Sequence, residues 1–197
     1  MRIHDLTYDM LMNELAHYSN PRQKLGRLVR EGKYTPVVRG LYETDKNTPG
    51  YLLAASIYGP SYLSFSFALS WHGLIPEAVY TYTSATFEKK KKKEYNTLFG
   101  CFTYRDIPSP AYPYEIMINK ENDYYFQIAS PEKALCDLLY TISPVGSLKE
   151  MRKLLWEDLR MESSDVFNLN ANVVEQLSSL YHSTNVIIVS KLLRRRA

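Results

Sequence analysis

The chain has 197 residues, 45% of them apolar and 13% aromatic, and a formal net charge of +3. That length gives one large domain or two small ones, and that apolar content excludes a disordered chain. No apolar run is long enough to span a bilayer, and the opening M-R-I-H-D-L is too short and too polar for a secretory signal. Two isolated cysteines, Cys101 and Cys136, make neither a disulfide framework nor a metal motif, so a cytoplasmic protein with reduced thiols is expected. The modest net charge conceals segregation. Residues 20–42 carry six bases against one acid, residues 86–106 six against three, and the tail from Lys191 four against none, leaving the remainder acidic. Such a pattern fits a polyanion that meets limited faces of the molecule.

Residues 5–18 (D-L-T-Y-D-M-L-M-N-E-L-A-H-Y) read as a first helix, capped by Asp5 or Thr7, with Tyr8, Leu11, Leu15 and Tyr18 near one stripe. A second helix spans 21–31. Asn20 or Ser19 caps it, Pro21 suits a first turn that needs no amide donor, and Gly32 takes the left-handed conformation that ends it. Leu25, Leu28 and Val29 fall at i, i+3 and i+4 and share the inner face. Gln23, Arg27 and Arg30 fall on the opposite side, with Gly26 beside them. Residues 34–38 and 41–43 are β-rich, and Arg39-Gly40 between them is a turn signal. A helix with a basic outer face followed by a hairpin with Arg at its tip reads as the recognition helix and wing of a winged helix-turn-helix over residues 1–44. Only Ser19-Asn20 separates the two helices. The unit is therefore a trimmed one, or its first segment is two short helices.

Thr44 to Thr48 is a polar link to a second region, 49–197. Residues 49–58 look helical and end at Gly59-Pro60. A brief strand, a short helix and a Gly73 stop follow. Residues 78–87 and 94–104 are expected as strands, with the lysine run at or near the tip of the hairpin they would form, and residues 114–118 and 124–128 as another hairpin. The rest is helical: a helix opened by Ser130-Pro131-Glu132, one opened by the capping box at Ser147, and two more at 171–182 and 184–195. The predicted class is α+β, a small N-terminal reader and then a mixed domain with antiparallel strands first and helices after.

Four segments occur in a telling order: R-G-L-Y at 39–42, A-L-S-W-H-G-L-I-P-E at 68–77, F-G-C-F-T-Y at 99–104 and I-A-S-P-E-K-A-L-C-D-L-L-Y at 128–140. Together they resemble the AbiEi-type antitoxins of type IV toxin–antitoxin systems, which are also transcriptional regulators of bacterial defence loci. The likeness covers roughly residues 20–142. It implies a bacterial protein whose N-terminal winged helix represses its own operon at inverted repeats. It also implies a C-terminal domain that counters a nucleotidyltransferase-like toxin in abortive infection. The wing then corresponds to 37–42 and the reading helix to 21–31.

Arg27 and Gln23 are the expected base readers, since Arg forks onto guanine and Gln onto adenine in the major groove. Arg22, Lys24, Arg30, Lys33 and Arg39 are the expected phosphate contacts. The run Lys89, Lys90, Lys91, Lys92 and Lys93 reads first as a mobile, solvated loop. With Arg194, Arg195 and Arg196 it is also a candidate second contact for nucleic acid or an acidic partner. No cofactor is implied. Ser130 and Lys133 match S-x-x-K, but the companion motifs of serine acyl enzymes are missing, so Ser130 reads as a cap and Lys133 as an ordinary first-turn residue. The four histidines show no ligand spacing, His72 reads as an end-of-helix packing residue, and no metal-binding carboxylate set appears, so an enzyme is not expected. The competing reading is an interaction module that no longer binds DNA. It would meet its partner through an aromatic surface of Tyr62, Phe65, Tyr80, Tyr82, Tyr112 and Tyr114.

Overall fold

The computed structural model of the chain describes residues 5–121 and 123–195. They form an α+β structure with a three-stranded antiparallel sheet and a six-stranded mixed sheet.

The first sheet brings together β1 (Asp5–Thr7), β2 (Thr35–Val38) and β3 (Leu41–Glu43) in the order β1-β3-β2, and the helices α1 (Tyr8–Glu14) and α2 (Pro21–Arg30) pack on it. The expected first helix over 5–18 is therefore too long at both ends. Residues 5–7 pair with β3 in the register Leu6↔Tyr42, a non-local contact that periodicity does not report. Thr7 then caps α1 by accepting from the Met10 amide. Beyond Glu14 the chain turns through residues 15–20, and Asn20, kept out of the helical region by the proline that follows it, sits at φ −139°. Leu11, Leu15, Leu25 and Leu28 are buried against one another, with Tyr8, Val29 and Tyr42 at the edges.

Chain leaving β3 is held by Glu43, which is fully buried. Its carboxylate accepts from the Thr44 and Asp45 amides at 2.7 and 3.0 Å and from the Tyr124 hydroxyl at 2.8 Å. Val37 and Leu41 continue into the large core, so the small sheet is fastened to the rest by apolar contact as well.

That core is built on β4 (Ser61–Leu63), β5 (Thr81–Thr86), β6 (Lys93–Thr97), β7 (Gly100–Asp106), β8 (Ile116–Glu121) and β9 (Tyr124–Ala129), in the order β6-β7-β5-β4-β9-β8. The expected antiparallel strands are present in the pairs β4–β5, β6–β7 and β8–β9, but the sheet as a whole is mixed, because β5 lies parallel to β7 and β4 parallel to β9. The expected strand over 94–104 is two strands. Gly100, at φ +121°, and the Thr97 hydroxyl, which accepts from the Phe99 amide, turn the chain at Leu98-Phe99. Lys89 to Lys92 consequently sit on the connection from β5 to β6, with Lys93 opening β6, and not at a hairpin tip. The β8–β9 hairpin falls where the sequence places it.

Helices cover the sheet. The short α3 (Ala54–Ile57) and α4 (Phe65–Trp71) precede β5, and α5 (Pro131–Thr141), α6 (Leu148–Lys153), α7 (Ser163–Asn168), α8 (Ala171–Tyr181) and α9 (Thr184–Arg194) follow β9. Ser130 caps α5, and the buried Asn185 of α9 holds its far end by donating to the Leu139, Ile142 and Ser143 carbonyls. His72 closes α4 and its Nε2 lies 2.8 Å from the Ala129 carbonyl. Among the described residues no helix is long and apolar enough to cross a membrane.

Candidate nucleic-acid interface

Local chemistry fixes α2 at both ends. The Asn20 side chain accepts from the Gln23 amide at 3.1 Å, and Pro21 occupies the first helical position. At the other end Gly32, at φ +74°, donates to the Val29 carbonyl and Lys33 donates to the Leu28 carbonyl. These are the two bonds of a Schellman ending, which needs a left-handed residue and so favours glycine. Leu25 and Leu28 point into the small core, and that fixes the rotation of the helix.

Rotation decides what faces outward. Arg22, Gln23, Gly26, Arg27 and Arg30 are exposed, as are Lys33 and Arg39 beyond the helix. A shallow groove along this side is lined by Tyr18, Ser19, Asn20, Gln23, Lys24, Arg27 and Arg30. Lys24 is half-buried, its ammonium 4.6 Å from the centre of the Tyr18 ring. Arg27 lies 3.5 Å from the Glu31 carboxylate, and the Arg30 Nε donates to the Gly26 carbonyl at 3.3 Å. A Cβ added at Gly26 would meet nothing within 4 Å, so this stretch of backbone is bare. Arg39 sits at the β2–β3 turn, where Gly40 takes φ +85° and its carbonyl accepts from the Tyr8 amide, tying the turn to the start of α1. One structural unit thus presents all seven predicted DNA contacts.

The remaining predicted contacts lie elsewhere. Lys90, Lys91 and Lys92 border a cleft with Arg105, Asp106, Tyr140 and Thr141. Lys90 to Lys93 are exposed, as a solvated loop would be, while Asp106 accepts from the Thr86 hydroxyl and from the Lys90 amide and Lys89 lies 5.1 Å from the Tyr58 ring. Arg194 pairs with Glu175, Arg195 is exposed at the end of α9, and Arg196 lies outside the described residues. The supposed aromatic surface is corrected too. Tyr62 and Phe65 are buried, Tyr82 and Tyr112 are half-buried, and only Tyr80 and Tyr114 of that set are exposed.

Lys133 is the largest departure from expectation. It is fully buried and ion-paired to the equally buried Asp137 at 3.5 Å. Its ammonium donates to the Ala111 carbonyl and to the Tyr181 hydroxyl, which in turn donates to Asp137. The other Asp137 oxygen accepts from Tyr62 at 3.0 Å and from Ser64 at 2.5 Å. Burial holds the ammonium below the usual lysine range, against the upward pull of Asp137. The same burial pushes the Cys136 thiol well above its ordinary value, so it stays protonated and unreactive. The sequence did carry a signal. Residues 134–139 are apolar nearly all round the helix, and such a helix is buried on every side. The Lys and Asp one turn apart then have to go inside as a pair. Among the described residues no group of three His, Cys, Asp or Glu could hold a metal ion.

No family model matches the chain, and no curated protein matches it.

Proposed function

We propose that this chain is a DNA-binding autorepressor and antitoxin of a defence locus, acting by binding and not by catalysis. Its N-terminal unit, on this reading, is a winged helix-turn-helix with α2 as the reading helix and β2–β3 as the wing. The observation that carries the proposal is the exposed outer face of α2, where Gln23, Arg27 and Arg30 stand clear of the protein on a helix rotated by its buried leucines. Ten residues at 1.5 Å each give a rod of about 15 Å, which suits a major groove about 12 Å wide. The strand order β1-β3-β2, with the hairpin tied beside the helix pair, supports the wing. The ordered segments that resemble AbiEi-type antitoxins support the antitoxin role and a nucleotidyltransferase-like toxin as its counterpart.

The test is a gel shift on duplex DNA from upstream of the reading frame, paired with co-expression of the neighbouring gene product. Retarded DNA and rescued growth are expected. Rescue without retardation would leave an interaction module that does not read DNA.

Two further results are expected here. Gly26→Ala should stabilise the protein by about 0.4–1 kcal/mol, because the position is helical, unstrained and open. It should nonetheless weaken duplex binding, since a methyl group would stand where the duplex approaches bare backbone. Urea denaturation and a binding isotherm measure the two effects, and a variant both more stable and equally tight would show that no DNA backbone reaches position 26. Lys33→Ala should weaken operator and random DNA alike and make the slope of log K against log salt shallower by about 0.9, the loss of one phosphate contact. An unchanged slope would remove Lys33 from the interface.

A further inference from the structure

The cleft beside the lysine loop belongs to the large sheet and takes no part in the α2 interface. It measures about 440 Å³ and is lined by Lys90, Lys91, Lys92, Arg105, Asp106, Tyr140 and Thr141. Four cations stand there against one carboxylate, and that carboxylate is already engaged by Thr86 and the Lys90 amide. The start of the loop is tied down without a ligand: Asp106 accepts from the Lys90 amide, Ser109 donates to Glu88 at 3.0 Å, and Lys89 lies near the Tyr58 ring. Arg105 places its guanidinium 5.5 Å from the centre of the buried Phe65 ring. Tyr140, on the last turn of α5, is exposed on one side and packs against Tyr181 on the other, with 5.9 Å between ring centres.

We infer that this cleft binds single-stranded nucleic acid, its lysines following the phosphodiester backbone and Tyr140 stacking on an unpaired base. A basic groove with an exposed aromatic ring is the combination that such strands require, because every base has a face to stack and every linkage a charge to neutralise. Lysine supplies a point charge without the fork that reads a base edge, which suits contact independent of sequence. A duplex keeps its base faces inside the stack and leaves Tyr140 unused. An acidic peptide satisfies the lysines but also leaves the ring without a role. RNA and DNA single strands share the chemistry, and the 2′-hydroxyl separates them.

The experiment is fluorescence anisotropy on the full chain with oligouridylate, oligothymidylate and a duplex, each about 12 nucleotides long, within the range such grooves cover. Simultaneous Lys90→Ala, Lys91→Ala and Lys92→Ala should weaken single-strand binding about tenfold. It should also make the salt slope shallower by about 2, at roughly 0.7 per lost contact. Tyr140→Leu should weaken it about fivefold with the slope unchanged, and Tyr140→Phe, which keeps the ring, should bind like the parent. Tighter binding of oligouridylate than of oligothymidylate would identify RNA as the ligand, and equal binding a strand of either kind; both support the inference. Arg27→Ala should leave single-strand binding intact, so failure of the α2 reading and failure of this one are separable. Undiminished binding by the triple-alanine variant overturns the inference. So does a negligible effect of Tyr140→Leu together with competition by polyglutamate as strong as that by oligouridylate, which would make the cleft an acidic-peptide site.

Discussion

Asp137→Ala should lower the free energy of unfolding by about 3–5 kcal/mol, the cost of leaving a buried charge without its partner. The substitution strands Lys133 in the core with only the Ala111 carbonyl and the Tyr181 hydroxyl for company. It also takes the acceptor from Tyr62 and Ser64, two hydroxyls that have no access to water. Against a total stability typically in the range of about 5–15 kcal/mol, such a loss is a large fraction of the whole, and at the lower end of that range it brings a protein close to half-unfolding. The effect is large because the cluster ties four segments together: β4 through Tyr62, the start of α4 through Ser64, α5 through the ion pair and α8 through Tyr181. Lys133→Met combined with Asp137→Leu removes both charges and should recover the part of the loss that comes from the stranded ammonium, but not the part that comes from the Tyr62, Ser64 and Tyr181 hydroxyls, which still lack their acceptor. Urea titrations followed by circular dichroism measure both variants. A single variant within about 1 kcal/mol of the parent would show that the cluster is not what holds α5 in place.

Arg27→Ala should cost about 1–3 kcal/mol in operator binding, roughly a 5- to 150-fold loss, with little change on random DNA. The asymmetry follows from its place in the middle of the outer face of α2, beside bare Gly26 and between Gln23 and Arg30. Its present partner, Glu31, does not compete strongly. Both side chains are about half exposed, at 57% and 47%, and a pair in that setting contributes less than about 1 kcal/mol. For the same reason the substitution should leave the thermal midpoint nearly unmoved, so that lost binding cannot be ascribed to lost structure. Gel shifts on operator and random duplexes, with a melting curve of the variant, provide the check. Equal losses on the two DNAs would reassign Arg27 to the phosphate backbone.

Elements specified by their own residues were legible in the sequence. The Asn20 cap, Pro21, the three aliphatic side chains and Gly32 define α2 without reference to anything distant, and the face they leave outward lies where a 100° period places it. The same holds for α5, α8 and the β8–β9 hairpin. What could not be read depends on partners far along the chain. Residues 5–7 are a strand because residues 41–43 lie beside them, and β5 runs parallel to β7 because β6 takes the outer position. That Lys133 goes inside with Asp137 was legible in the apolar surroundings of 134–139, but its further partner was not, because Tyr181 lies 48 positions later. The lysine run was legible as charge. Its tie to the sheet was not, because Asp106 comes to the Lys90 amide from a distant strand.

The most direct test of the proposal that α2 reads DNA is an NMR titration of the full chain with duplex DNA from upstream of its own reading frame. Saturable shifts of the Gln23, Gly26, Arg27 and Arg30 amides, accompanied by Arg39 and lost on raising the salt, are the expected result. Saturable binding that leaves those amides in place and moves only residues 89–93 would contradict the account.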